Sequence, residues 1–214
     1  MHFISDKLDD YVLNHSDEEP PLLRALTRET YQKVVQPRMI SGHFQGRVLS
    51  TISKLIRPKK ILELGTFTGY SALCLAEGLD EDGELHTVDY NEELVNLQRR
   101  FFDQSGFGQQ IHQYTGRALE IIPMLNFKFD LVFIDADKPN YVNYFHQIID
   151  KLNSKGVILS DNVLWSGKVI EPTVDQLDIS TKTLLQYNRL LKEDSRLNTI
   201  LLPIRDGLTI SIKK

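Results

Sequence analysis

Residues 59–90 read KKILELGTFTGYSALCLAEGLDEDGELHTVDY. An apolar run, Ile61 to Leu64, stops at the turn Gly65-Thr66-Phe67-Thr68-Gly69, and a helical stretch follows over 70–79. A second apolar run, GELHTVDY, then ends at Asp89 and Tyr90. Short apolar runs alternating with helical stretches are how a parallel sheet covered on both faces reads in sequence.

The alternation continues downstream. IHQYTG precedes a helical stretch over 117–125, and FDLVFIDAD precedes another over 139–152, where Val142, Phe145, Ile148, Ile149 and Leu152 recur at helical spacing. GVILSDN follows. Right-handed crossovers would bring the C-terminal ends of these strands to one edge. The tail breaks the pattern. After a helix at about 178–194, LNTILLPI and GLTISIKK lie on either side of Asp206-Gly207, which predicts an antiparallel hairpin. Five parallel strands and a hairpin predict a Rossmann-like α/β sheet of seven strands, flanked by helices.

Upstream the chain reads as helices. Ile4, Leu8, Tyr11 and Val12 form one stripe, and Leu22, Leu23, Leu26, Thr30 and Val34 a second. Phe44, Val48, Ile52, Leu55 and Ile56 form a third, and prolines at 20–21, 37 and 58 end them in turn. No repeat or composition shift marks a second domain. A single domain over 1–214 is expected, with 1–57 as an N-terminal helical extension and 59–214 as the sheet core.

Of the 214 residues, 41% are hydrophobic and 25% charged, which excludes disordered, collagenous and coiled-coil classes. The 25 Lys and Arg against 29 Asp and Glu give a net charge of −4, so neither nucleic acid nor an anionic membrane is the expected partner. Cys74 is the one cysteine; it reads as a small core residue and fits a reducing cytoplasm. The first residues, MHFISDKLDDYVLNHSDEEPP, carry acids at Asp6, Asp9 and Asp10 and no apolar run of signal or spanning length. A cytoplasmic protein is expected.

The chemistry gathers at the strand ends. The glycines of the 65–69 turn let a backbone approach a ligand, but Glu63 stands where a dinucleotide fingerprint would need glycine. A carboxylate there repels a pyrophosphate and favours a cationic ligand. Asp89 closes the second strand, where an acid can accept both hydroxyls of a ribose or simply cap the next helix. Together they favour a positively charged nucleoside without phosphates, a description that S-adenosylmethionine meets. Asp135 closes the fourth strand, and Asp161-Asn162 the fifth. Two carboxylates and an amide carbonyl suit Mg²⁺, Ca²⁺ or Mn²⁺, although acids also end strands as plain caps. Lys138, three residues beyond Asp135, is either a solvated strand-end lysine or a general base beside a cation.

The segments ILELGTFTGYSAL, LHTVDYNEEL, FDLVFIDADKPNYVNY, GVILSDNVLWSGKV and LPIRDGLTIS resemble the class I metal-dependent O-methyltransferases. The nearest subgroup is the caffeoyl-CoA O-methyltransferase-like enzymes, with catechol O-methyltransferase more distant. The resemblance runs from about Met39 to the C-terminus and is loose before it. It implies a seven-stranded sheet whose last strand is antiparallel, S-adenosylmethionine as cofactor, and a divalent metal, magnesium among the candidates, bound by Asp135, Asp161 and Asn162. It further implies that Lys138 deprotonates the acceptor. It assigns Met39, Ser41, Phe67, Ser71, Ala118 and Tyr144 to the methyl-donor site, with Glu63, Gly65, Asp89 and Asp135. Trp165 and Asp206 become acceptor contacts. His43 departs from the plant-type pattern and faces acceptor, metal or surface. A homodimer is the expected assembly.

The expected activity is methyl transfer from S-adenosylmethionine to a hydroxyl of a small catechol-type or caffeoyl-CoA-like acceptor. The alternatives are a nicotinamide-dependent oxidoreductase on the same fold type, against which Glu63 counts, and a non-catalytic S-adenosylmethionine-binding protein, which would not need Lys138 or the metal-ligand types.

Overall fold

The computed structural model describes residues 5–170 and 178–214, so Ile4 and most of the 171–178 stretch lie outside the described residues. Three N-terminal helices, α1 (Asp6–Asn14), α2 (Pro21–Lys33) and α3 (Gly42–Ile56), precede the sheet. Pro21 occupies the first position of α2, where its missing N–H has no helical partner to lose. Arg57 closes α3 in the left-handed conformation, and Pro58 follows at once.

The strands are β1 (Lys60–Leu64), β2 (Glu84–Asp89), β3 (Ile111–Thr115), β4 (Phe129–Ile134), β5 (Leu152–Asp161), β6 (Leu197–Leu202) and β7 (Leu208–Lys213). Between them come α4 (Tyr70–Ala76), α5 (Val95–Gln104), α6 (Ala118–Met124), α7 (Tyr141–Ile148) and α8 (Ile179–Glu193). They form one seven-stranded sheet in the order β3-β2-β1-β4-β5-β7-β6. β7 lies antiparallel to both its neighbours, β5 and β6, and every other pairing is parallel. The expected parallel core and terminal hairpin are therefore both present.

Alternation along the strands divides the core between two faces. Ile61, Leu131, Phe133 and Leu159 pack with Leu26, Leu49, Leu73 and Phe102, under α2 to α5. Leu62, Leu64, Val132, Ile134 and Ile158 pack with Tyr141, Phe145, Leu184 and Tyr187, under α7 and α8. Burial on both faces is why β1 and β4 read as unbroken apolar runs.

Two boundaries differ from the sequence reading. α7 stops at Ile148 and a 3-10 turn spans Ile149–Lys151, so β5 starts at Leu152 rather than near Gly156. The added residues Asn153, Ser154 and Lys155 are polar, and apolar patterning cannot detect them. The β4–β5 register shifts here, from Phe129–Leu152 to Leu131–Val157, and Asn153 Nδ2 donates to Asp130 Oδ1 at 2.7 Å while Asp130 Oδ2 accepts from the backbone of Lys59 and Lys60. α4 is also shorter than expected, ending at Ala76.

Candidate active site

The turn after β1 is shaped by a close approach. Gly65 has φ +95°, and a Cβ built on it would sit 2.0 Å from the backbone oxygen of Asp135. No residue with a side chain fits there, so Gly65 serves the contact between the ends of β1 and β4 as well as any ligand. Beyond it, Phe67 N donates to Asp89 Oδ2 at 2.8 Å and Asn91 N donates to Asp89 Oδ1 at 2.9 Å. Asn91, not Asp89, caps the next helical turn, accepting from Glu93 N at 3.0 Å. Each Asp89 oxygen keeps a lone pair for a hydroxyl donor.

Glu63 is completely buried, accepts from Thr87 Oγ1 at 2.5 Å, and does not reach the cavity wall. Burial pushes its carboxyl up to about 8, opposed by the hydrogen bond from Thr87 and by the nearby Ser71 hydroxyl. Its Oε1 has no partner.

The ends of β4 and β5 meet around Lys138, which is 7% exposed. Its Nζ donates to Asp135 Oδ1 at 3.0 Å, to the Ala136 carbonyl at 3.1 Å and to the Tyr141 hydroxyl at 2.8 Å. The fully buried Tyr141 hydroxyl also lies 2.9 Å from the Asp161 carbonyl and 3.1 Å from the Ile134 carbonyl, so it links both strand ends to the lysine. Asp161 is 4% exposed, and Gln45 Nε2 donates to its Oδ2 at 2.7 Å. Its Oδ1 is buried without a partner. Burial, then the charge of Asp135, raises the Asp161 carboxyl well above the usual range. An unsatisfied buried carboxylate oxygen, with the Asp135 charge near enough to act on it and Asn162 on the same cavity wall, suits a hard cation. Among the described residues no three His, Cys, Asp or Glu side chains gather as a metal site, so Asn162 would have to supply the third ligand.

These residues share one cavity of about 1520 Å³. Met39, Ser41, Gly65, Phe67, Ser71, Asp89, Ala118, Asp135, Lys138, Tyr144, Asp161, Asn162, Trp165 and Asp206 all line it. Asp206 also fastens the segment after β5, its carboxylate accepting from Ser166 N at 2.5 Å and its carbonyl from Leu164 N at 2.9 Å. Phe67, Asn162, Trp165 and Arg205 on the cavity wall hold left-handed backbones, with φ between 47° and 59°. Such conformations are costly for non-glycine residues and cluster at functional sites.

His43 is a correction. It is not on the cavity wall; its Nε2 lies 2.7 Å from the Asp17 carbonyl, in a separate depression of about 360 Å³. The helix explains this: His43 precedes Gln45 by two residues, roughly 200° around α3, and Gln45 is the one turned to Asp161. Gln45, Arg205 and the bridging role of Tyr141 escaped the sequence reading. The available signal for Gln45 was an amide among the apolar positions of α3, one helical turn after Ser41.

A family model described as O-methyltransferase matches residues 13–214, extending well before Met39. Caffeoyl-CoA O-methyltransferase 1 of Nicotiana tabacum is 34% identical over 96% of this chain and 91% of its own length. The S-adenosylhomocysteine-bound methyltransferase PaMTH1 of Podospora anserina superposes with a TM-score of 0.88 at 29% identity, covering 98% of this chain and 94% of that one. The O-methyltransferase TomG of Streptomyces achromogenes, solved with S-adenosylmethionine, gives a TM-score of 0.88 at 27% identity, with 97% and 96% covered. These matches decide against the nicotinamide and non-catalytic alternatives. The chain belongs to the S-adenosylmethionine-dependent O-methyltransferases of the caffeoyl-CoA O-methyltransferase-like family.

Proposed function

We propose that the acceptor is a small aromatic with vicinal hydroxyls, and that transfer to it depends on a divalent cation held by Asp135, Asp161 and Asn162. The observation that carries this is the partnerless, buried Asp161 Oδ1 in a cavity that also holds Asp135, Asn162 and Lys138. A bound Mg²⁺, Mn²⁺ or Ca²⁺ supplies Lewis-acid polarisation of a hydroxyl oxygen. The chain's own residues do the rest. Asp89, with backbone donors already on both oxygens, is fixed in orientation to accept the ribose hydroxyls. Lys138 is the group that takes the acceptor proton, acting as the neutral amine after one of its three protons has passed to solvent, while Asp135 and Tyr141 hold its Nζ in place. Trp165 and Asp206 form part of the acceptor wall. Methyl transfer is a single displacement from sulfonium to oxygen and needs no protein nucleophile; Cys74 is buried, with its thiol pushed far up by burial. Alignment of the two substrates is the chief source of acceleration.

The name of the tobacco relative supports a phenolic acceptor of the caffeoyl type. By the same resemblance the working unit is a homodimer, and the lone buried cysteine is compatible with a reducing cytoplasm. Among the described residues no helix is long and apolar enough to cross a membrane. The test is a panel of catechols and matched monohydroxy analogues, assayed with labelled methyl donor before and after EDTA. EDTA should abolish methylation of catechols without lowering the melting temperature, and Mg²⁺, Mn²⁺ or Ca²⁺ should restore it. Full turnover after exhaustive metal removal would show that the three residues only end their strands.

A further inference from the structure

Gln45 is 2% exposed and reaches across from α3 to the end of β5. Its Nε2 donates to Asp161 Oδ2 at 2.7 Å, and its Oε1 accepts from Arg205 Nη1 at 2.8 Å. The same Arg205 nitrogen donates to the Ser41 carbonyl, one turn earlier on the chain. An amide can usually be turned end for end, but a guanidinium has no acceptor. The end of Gln45 that faces Arg205 must therefore be its oxygen, and the end that faces Asp161 must be its N–H. Three segments far apart in sequence meet here: the start of α3, the end of β5 and the β6–β7 turn.

The consequence falls on the carboxylate. With Oδ2 engaged by Gln45, the plane of the Asp161 carboxylate is set and Oδ1 is the atom left open. Arg205 holds this arrangement from a left-handed backbone, φ 50°, in the turn whose next residue is Asp206.

We propose that Gln45, oriented by Arg205, is a positioning residue that presents Asp161 Oδ1 to the cation. This rests on the divalent-cation reading above. Gln45 touches neither substrate nor cation in this scheme; it acts only through Asp161.

The test measures Mn²⁺ alone, by electron paramagnetic resonance of the free ion, on the full chain. Calorimetry with S-adenosylhomocysteine and melting temperature serve as controls. Gln45→Met keeps the length of the side chain and removes its donors and acceptor. It should weaken Mn²⁺ binding 10–100-fold, the usual size for a residue that orients a metal ligand. Affinity for S-adenosylhomocysteine should stay within about twofold, a split that general loss of packing would not produce. Arg205→Met, in a surface turn and usable even if Gln45→Met fails to fold, should weaken Mn²⁺ binding less. The double variant should bind no more weakly than Gln45→Met alone, because Arg205 acts through Gln45. Unchanged Mn²⁺ affinity in the single variants, fully additive losses, or an equal loss of S-adenosylhomocysteine affinity would each overturn the proposal. Wild-type protein that binds no Mn²⁺ would instead overturn the cation reading on which it rests.

Discussion

Tyr141→Phe removes one oxygen and leaves the ring, which packs edge-on against Tyr187 with centroids 5.2 Å apart. The lost hydroxyl accepts from Lys138 at 2.8 Å and lies 2.9 Å from the Asp161 carbonyl and 3.1 Å from the Ile134 carbonyl. A hydroxyl has one proton, so it donates to one of these carbonyls at a time. Two bonds are therefore lost, one to a charged group and one to a neutral group. The first contributes roughly 1.5–3 kcal/mol and the second about 0.5–1.5 kcal/mol, a sum of about 2–4.5 kcal/mol. The side chain is fully buried, so bulk water does not replace the missing partner. A protein of this size loses about 2–4 °C of melting temperature per kcal/mol, which gives ~10 °C at the midpoints of both ranges. Calorimetric melts of variant and wild type at pH 7, with urea titrations to check that the m-value is unchanged, would measure it. The same variant should lower kcat, because Lys138 loses one of its three acceptors. A drop below about 2 °C, with the fold intact by near-UV circular dichroism, would mean that the hydroxyl does not join the two strand ends in solution.

Other substitutions separate the remaining roles. Asp89→Ala should weaken S-adenosylhomocysteine binding by about 2 kcal/mol or more, near 30-fold, in calorimetry; unchanged affinity in a folded variant sinks the ribose assignment. Lys138→Ala should lower kcat by roughly 10²–10⁴-fold near neutral pH with donor affinity preserved. If kcat survives within a few-fold, Lys138 is not the base. His86 offers a pH test away from the cavity. Burial, and then the nearby charge of His112, depresses its pKa from 6.5 to about 4. As pH falls below 6.5 the unfolded chain takes up the proton first, so this contribution is whole above pH 6.5 and is lost as pH falls through 4. Wild type should lose about 2 kcal/mol more than His86→Phe between pH 6.5 and 5, at 1.36 kcal/mol per pH unit. Parallel stability curves for the two proteins would contradict it.

What could be read from the chain was whatever depends on neighbours in sequence. The apolar runs of β1 and β4 and the acids that end β2, β4 and β5 are local features, and each stands where its strand predicted. Asn153 to Lys155 were missed because they are polar and fall where the β4–β5 register shifts, with Asn153 held by Asp130, 23 residues back. Gln45 and Arg205 are 160 residues apart, and nothing in either's surroundings announces the other. His43 sat in the right segment and on the wrong side of α3, a distinction that depends on the helix phase relative to β5. Glu63 lies behind the turn because β1 alternates, and its carboxylate meets Thr87 of β2 instead of the cavity. The chain before Met39 resembles the family only loosely, yet Glu19 Oε1 accepts from the Tyr70 hydroxyl at 2.7 Å and ties that region to α4.

The strand order has a further consequence. It reverses between β1 and β4, so the cavity is assembled from two halves of the chain that run outward from its centre. On the proposed roles, the methyl donor rests mainly on the half ending with β3, and proton and cation handling on the half beginning with β4. The two acceptor-wall residues named above, Trp165 and Asp206, lie on two connections, the one after β5 and the one joining β6 to β7, both at the far side of the sheet from β3. Those two connections could be exchanged together, as a cassette from a relative with another acceptor, while the donor half stays as it is. Substrate choice would then be a detachable property of this scaffold, with Gln45 and Arg205 as the seam to be matched.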